Sequence, residues 1–211
     1  MGRPTEMEMT TRSNANDRPG LRARKMARTR EQILDAALLA FTRDGYQNTT
    51  LEQVADAADV HKRTLLRYFP SKAHLVLDRQ HNALKAFRQA LEKRDGASAI
   101  DVWTDHVLNY SRKISERGTA GDFHRIAMSE PALRQAYSDV QESYQSLIAS
   151  VLEQEMGDDF AARIKARVVA GALVAGNYAV GGMIMRDGAH DRLEEAEREV
   201  LRLIADGIAK A

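Results

Sequence analysis

The chain has no cysteine among its 211 residues. Disulfides and thiolate metal centres are therefore excluded, which fits a reducing compartment, and a cytoplasmic location is expected. Proline is limited to four residues and aromatics to 6% of the chain. With so few breakers, and with Ala, Leu, Glu, Arg and Gln abundant, the composition predicts helices throughout. No apolar core follows the first basic residues, so no signal peptide is expected. Long charge-free runs are also scarce. Val168 to Met185 is 18 residues without Asp, Glu, Lys or Arg, the lower limit for a membrane span. Glycine and alanine dominate it, one leucine and one isoleucine occur, and Asn177 sits in its middle. Small residues around an amide suit a helix packed closely on protein, and no membrane partner is expected. Catalytic patterns are missing too. There is no GxxxxGK[ST] phosphate loop, no HExxH and no GxSxG, and the six histidines never pair at i, i+4. The expectation is a protein that is not an enzyme and needs no cofactor or metal.

What is present is concentrated in the first third. Residues 1–75 carry a net charge of +4 and residues 76–211 a net charge of −3, against +1 for the whole. A basic amino-terminal part on a mildly acidic remainder suits a nucleic-acid-binding head on a body that nucleic acid repels. Within it, Leu51, Val54, Ala55 and Ala58 fall at i, i+3, i+4 and i+7, the stripe of an amphipathic helix. Thr49 or Thr50 is placed to cap that helix. Ala58-Asp59-Val60 reads as a turn, and a second helix runs from about His61 to Tyr68. Leu65 turns inward with Val60 and Phe69, leaving Lys62, Arg63, Thr64 and Arg67 outside. Pro70 ends the helix, and Ser71 is placed to cap the next one, whose first turn carries Lys72. A short helix with Lys, Arg and Thr on its outer amino-terminal face fits the major groove of DNA. Periodicity alone also allows a helical hairpin with a solvated basic face.

The wider stretch decides between them. Glu31-Gln32-Ile33-Leu34-Asp35-Ala36-Ala37, Phe41, Gly45-Tyr46, Thr49-Thr50, Val54-Ala55, Val60, Thr64-Leu65 and Arg67-Tyr68-Phe69-Pro70-Ser71-Lys72 resemble the amino-terminal domain of the tetracycline-repressor (TetR) family. The likeness spans roughly Arg28 to Leu75. The rest of the chain agrees only in length and helical character. The resemblance implies an all-α protein of about nine helices: a three-helix helix-turn-helix domain followed by a helical ligand-binding and dimerisation domain. It implies a homodimeric repressor of transcription, double-stranded DNA with a palindromic operator as one partner, and a small-molecule effector that releases the DNA as another. By position, it implies base contacts from Lys62 and Arg63, a base or phosphate contact from Thr64, and phosphate contacts from Thr50, Tyr68 and Lys72. Leu66 stands where the family often has a phosphate-touching tyrosine, so Arg67 or Tyr68 is expected to carry more of that grip. Asp59 replaces the usual turn glycine, and His61 replaces a serine cap. An effector-independent architectural DNA binder and an activator on the same fold are the alternatives.

The expected organisation is a disordered basic tail over 1–26, a DNA-binding domain over 27–72 and an effector-binding and dimerisation domain over 73–211. Six basic residues and no acid lie between Arg18 and Arg30. They form either a solubilising tail or an arm along the DNA. The first helix is expected over Thr29 to Arg43, with Ile33, Ala37, Ala40 and Phe41 buried. A long helix is expected from Ser71 to Arg94, and the resemblance implies that it joins the domains. Further helices are expected from Ile100 to Arg117 and around Phe123 to Met128. Another starts at Ser129-Glu130-Pro131 and ends near Met156, and a next one runs from Asp158 or Asp159 to Met185. The last is capped by Asp191 with Glu194 and carries the stripe Leu193, Ala196, Val200, Leu203, Ile204, Gly207 and Ile208. Its pair with the preceding helix is expected to make the dimer, through the close approach that Ala172, Gly176, Gly181 and Gly182 permit. Trp103, Tyr110, Phe123, Met128, Tyr144 and Asn177 are the expected cavity residues, with His124, Tyr137, Tyr178 and Met183 as further candidates. Asn177 is the sharpest, being an amide in an apolar helix that needs a partner.

Overall fold

The computed structural model describes residues 20–117, 120–157 and 159–208. Its elements are α1 (Leu21–Asp44), α2 (Leu51–Ala57), α3 (Lys62–Tyr68), α4 (Lys72–Glu92), α5 (Ala99–Arg117), α6 (Ala120–Ser129), α7 (Pro131–Met156), α8 (Phe160–Asp187) and α9 (Leu193–Ile208), with a 3₁₀ turn over His190–Arg192 before α9. No strand occurs among the described residues. The fold is all-α, as expected.

Two apolar cores organise it. The first gathers Ile33, Ala37, Ala40 and Phe41 of α1, Val54 and Ala55 of α2, Leu65 and Phe69 at α3, and Leu75, Val76 and Leu77 of α4. Phe123, Ala127 and Leu133 enter this head core from α6 and α7. The second collects Phe87 and Leu91 of α4, Trp103 and Val107 of α5, Tyr144, Ile148 and Leu152 of α7, and Val169, Leu173 and Val174 of α8. Helix α4 contributes to both. In the body, α7 lies along α8, and α9 packs against α8 and α5.

Helix α1 begins at Leu21, not at Thr29. The six residues 21–26 assigned to a disordered tail are helical, and residues 1–19 lie outside the described residues. Leu21 to Arg28 are exposed, so no apolar period marks them. They are strong helix formers (Leu, Ala, Arg, Lys, Met) that extend a helix nucleated by the packed residues after them.

Helix ends bring further corrections. Glu130, not Ser129, is the residue before α7, with Pro131 first in the helix. The Ser129 hydroxyl instead donates to the Ile126 carbonyl at 2.8 Å. Asp159 caps α8, accepting from the Ala162 N–H at 2.8 Å. Ser71 precedes α4, but its hydroxyl pairs with His74 Nδ1 at 2.8 Å and makes no cap bond. Asp191 lies inside the 3₁₀ turn rather than at a cap of α9. Gly121 sits within α6, where a Cβ would stand 2.6 Å from His190 Nε2, so it serves close packing and not helix termination.

Gly176, Gly181 and Gly182 of α8 face inward. A Cβ on Gly176 would stand 2.9 Å from Val200 Cγ1, and one on Gly181 would stand 3.4 Å from Glu197 Oε1. Gly182 faces His124 of α6. These positions bring α9 and α6 onto α8 within one protomer, contrary to the seam expected of them. The outer face of α8 is a different row. Phe160, Ile164, Val168, Ala172, Ala175, Ala179 and Met183 are exposed, with Phe160 at 78% and Val168 at 64%. Leu203 of α9, expected in the buried stripe, is exposed as well. Helix α8 is long and apolar enough to cross a membrane. Its inward face, however, is spent on the core of its own protomer.

Candidate functional site

The head presents α3 on a rigid base. Thr49 is buried, and its hydroxyl donates to the Gly45 carbonyl at 2.8 Å. Thr50 caps α2 in a reciprocal box. Its hydroxyl accepts from the Gln53 N–H at 3.2 Å, while the Gln53 side chain accepts from the Thr50 N–H at 2.7 Å. Two orphan donors of the helix start are thereby satisfied, and the Thr50 side chain stays at the surface. The turn after α2 closes through Val60 N–H to the Ala55 carbonyl at 3.0 Å. Asp59 adopts φ +52°, the left-handed conformation that favours glycine; a short polar side chain tolerates it at a cost. His61 precedes α3 with no side-chain cap bond.

From this base Leu65 is fully buried, while Lys62, Arg63 and Arg67 are exposed and Thr64 is half-buried. Lys62 pairs with Glu52 of α2. An exposed pair of this kind is worth little and exchanges readily for another anion. Arg67 lies over the Tyr68 ring at 5.6 Å, and Tyr68 packs half-buried on the head core. Leu66 is 38% exposed and makes no polar contact of its own.

Lys72 has a role that sequence did not suggest. Its ammonium donates to the carbonyls of Tyr46 (2.6 Å), Gln47 (3.2 Å) and Thr49 (3.0 Å). It also lies 4.4 Å from the centre of the Tyr46 ring. All three of its protons are engaged. It ties the start of α4 to the loop between α1 and α2, and a phosphate contact from it requires one of these bonds to be exchanged.

In the body, α4 to α9 line a partly open cavity whose empty space, counted with the solvent at its mouth, is about 820 Å³. Trp103, Tyr110, Phe123, Tyr144 and Asn177 line it, as do His124, Tyr137 and Tyr178. Met128 does not. It packs with Ala127 against the head core, being more than a helical turn beyond Phe123 and His124 on α6. Met183 lies on the exposed outer face of α8.

The cavity wall contains a polar chain. Trp103 Nε1 donates to Asn177 Oδ1 at 2.9 Å, and Asn177 Nδ2 donates to Glu197. The indole can only donate, so it fixes the amide with its NH₂ toward the carboxyl. Asn177 thus has protein partners on both sides. Glu197 is 6% exposed, and burial raises its pKa to about 7, with the Asn177 bond acting the other way. Next to it on the wall, His106 Nε2 and the Tyr144 hydroxyl lie 3.1 Å apart. Burial, aided by Lys113, lowers the His106 pKa to about 4, so the ring is neutral near pH 7. Burial likewise raises the tyrosines, Tyr110 to about 12 and Tyr178 well above its ordinary value. They act as neutral hydroxyls.

Arg79, Gln80, His106 and Glu197 line the cavity and were not among the expected lining residues. Glu197 carried a usable signal. It lies four residues after Leu193 and three before Val200, inside the apolar stripe of α9, where an acid demands an explanation.

The fold and the exposed face of α3 define a helix-turn-helix regulator with a separate cavity-bearing body. A family model described as "Bacterial regulatory proteins, tetR family" matches residues 33–78. The HTH-type transcriptional regulator TcmR of Streptomyces glaucescens is 33% identical over 186 residues, covering 84% of this chain and 80% of TcmR. The HTH-type transcriptional repressor KstR of Mycolicibacterium smegmatis is 48% identical over 108 residues, covering 51% of this chain and 47% of that one. Among solved structures, SmeT of Stenotrophomonas maltophilia in complex with triclosan aligns with a TM-score of 0.64 at 19% identity, covering 85% of this chain and 91% of SmeT. The chain belongs to the TetR family and is a DNA-binding transcriptional regulator.

Proposed function

We propose that this protein is a repressor that binds a palindromic operator as a homodimer and lets go when a small molecule fills the body cavity. The observation that carries the reading is the exposed face of α3. Lys62, Arg63, Thr64 and Arg67 are offered outward from a helix whose inner side is anchored by Leu65. In this reading Lys62 and Arg63 contact base edges. Thr50, Thr64, Arg67, Tyr68 and Lys72 hold position on the phosphates. Residues 27–72 form the DNA-binding domain and 73–211 the effector and dimerisation domain. A second copy covers the row Phe160, Ile164 and Val168 on α8, and Leu203 of α9 is exposed as well; an apolar row of this length marks an interface. A covered outer face also accounts for the apolar character of α8 without a membrane, in keeping with a cytoplasmic regulator.

The cavity reading draws support from neighbours in fold. SmeT was solved with triclosan, and FadR of Bacillus subtilis, with a TM-score of 0.55 at 18% identity, was solved with stearoyl-CoA. The five expected lining residues Trp103, Tyr110, Phe123, Tyr144 and Asn177 serve as effector contacts here.

Operator footprinting with point variants tests the head. Lys62→Ala and Arg63→Ala should each cost about 1–3 kcal/mol on the specific site and leave non-specific binding nearly unchanged. Equal losses on both kinds of DNA would reject base reading by these two. Transcription of a reporter that rises with the protein would make it an activator instead.

A further inference from the structure

We propose that the effector is an aromatic or aryl-bearing molecule with a basic nitrogen, held as an ammonium by the carboxylate of Glu197. This rests on the reading of the body cavity as the effector site.

The geometry begins with the glycine at 181. Its missing side chain leaves a niche on α8, and Glu197 Oε1 sits over it, 3.4 Å from where a Cβ would stand. The other carboxyl oxygen accepts from Asn177 Nδ2, whose orientation Trp103 fixes. Among the described residues Oε1 accepts no hydrogen bond, and no Lys, Arg or His forms an ion pair with Glu197. A buried carboxyl with one amide donor and no counter-charge is costly unless it is neutralised or given a cation. Burial raises its pKa in keeping with that cost.

The surroundings select what such a cation looks like. Glu197 shares the cavity with Tyr137, Tyr178, Trp103 and Tyr144. The rings meet edge to face, Tyr137 with Tyr178 at 5.3 Å and 75° and Trp103 with Tyr144 at 5.3 Å and 69°. Aromatic rings that line one cavity with a carboxylate add the pull of the ring quadrupole on an organic cation to that of the charge. The guanidinium of Arg79 lines the same cavity but stands over the Phe123 ring at 5.3 Å. Its charge acts on Tyr110. The carboxyl end is the end for the ammonium. A linear alkyl chain would use neither the carboxyl nor the ring edges.

The test uses the full chain and its single tryptophan, which is Trp103 in the cavity wall. Quenching of Trp103 is titrated with three molecules of one shape: biphenyl-4-ylmethylamine, biphenyl-4-ylmethanol and biphenyl-4-carboxylate. At about pH 8 the Glu197 carboxyl is mainly ionised and the benzylic amine still mainly protonated. The amine should bind about tenfold or more tightly than the alcohol, the increment of one charge-assisted contact. Glu197→Gln, checked for a cooperative melting transition no lower than that of the wild type, should bring the two to parity. An alcohol or carboxylate that matches the amine on the wild-type protein overturns the proposal and leaves the cavity reading intact. So does a preference that survives in Glu197→Gln. Should that variant fail to fold, the wild-type ranking alone decides. If none of the three quenches Trp103, the cavity reading itself fails with it.

Discussion

The head and the body handle polar side chains in opposite ways. In the head they sit at helix ends and on surfaces, where water or backbone completes them: Thr50 caps α2, Lys72 closes a loop, and Lys62 holds an exposed partner. In the body the polar groups that distinguish the molecule are inside. Glu197, Asn177 and His124 are buried, and His106 is nearly so. The head therefore has positions whose roles follow from local geometry. The body has positions whose roles depend on what five other helices bring to them. A surface that must fit one polymer, DNA, tolerates little rearrangement. A cavity that fits one small molecule is set by a few interior choices.

Variants that confuse the two regions test this contrast, beginning with the largest effect. Val168→Asp places a charge on the outer face of α8, far from α3. If that face is the dimer seam, the protein sediments as a monomer and loses operator affinity by about 100-fold, since the second half-site is no longer tethered. A monomeric variant with undiminished operator binding would separate dimerisation from DNA recognition altogether. Lys72→Met removes the ammonium from three carbonyls in the head. Stability should fall by about 2 kcal/mol, and specific and non-specific DNA should weaken alike. Denaturant melts and salt titrations of binding read the two parts separately.

Glu197→Gln gives an effect of about 2 kcal/mol, visible only in its pH dependence. The folded carboxyl titrates near 7 and the unfolded one near 4.5. Its contribution to stability is complete below the unfolded value and is lost as pH rises through the folded one. The variant should thus gain on the wild type by about 2 kcal/mol between pH 5 and 8. Parallel melting curves across that range would mean Glu197 is not desolvated. His106 works in the reverse sense, since its lowered pKa costs stability as pH falls below about 6.5. In the wild type the two trends offset one another. The smallest effect belongs to the turn. Asp59→Gly relieves the residue at φ +52° and should raise stability by about 0.5–1 kcal/mol without touching ligand binding.

The same contrast governs how much was legible in the sequence. The head could be read closely because its information is local. Apolar spacing placed Leu51, Val54 and Leu65, proline ended α3, and threonine capped α2. What escaped there was Lys72, whose carbonyl partners lie 23 to 26 residues earlier in the chain. The extension of α1 to Leu21 escaped because solvated helix has no apolar period to find. In the body the helices were legible, though their caps were less so. The cavity was half legible: its aromatics announced themselves by type, whereas Arg79, Gln80 and Glu197 look like surface residues until neighbouring helices enclose them. Met128 was misjudged because residue type does not say which of two cores a short helix faces. The α8 glycines were read for the wrong neighbour, since small residues announce close approach and not the identity of what approaches.

Three consecutive residues of α4 give this arrangement a further meaning. Asp78 pairs with Arg30 of α1, in the head, while Arg79 and Gln80 line the cavity. Successive side chains on a helix diverge by about 100°, so one peptide unit faces two compartments. A signal passing from one to the other has no intervening side chains to cross. In engineering terms, the two compartments share a single part: on the proposed reading, a pocket rebuilt for a new ligand keeps its link to the head so long as the backbone of these three residues is left as it is.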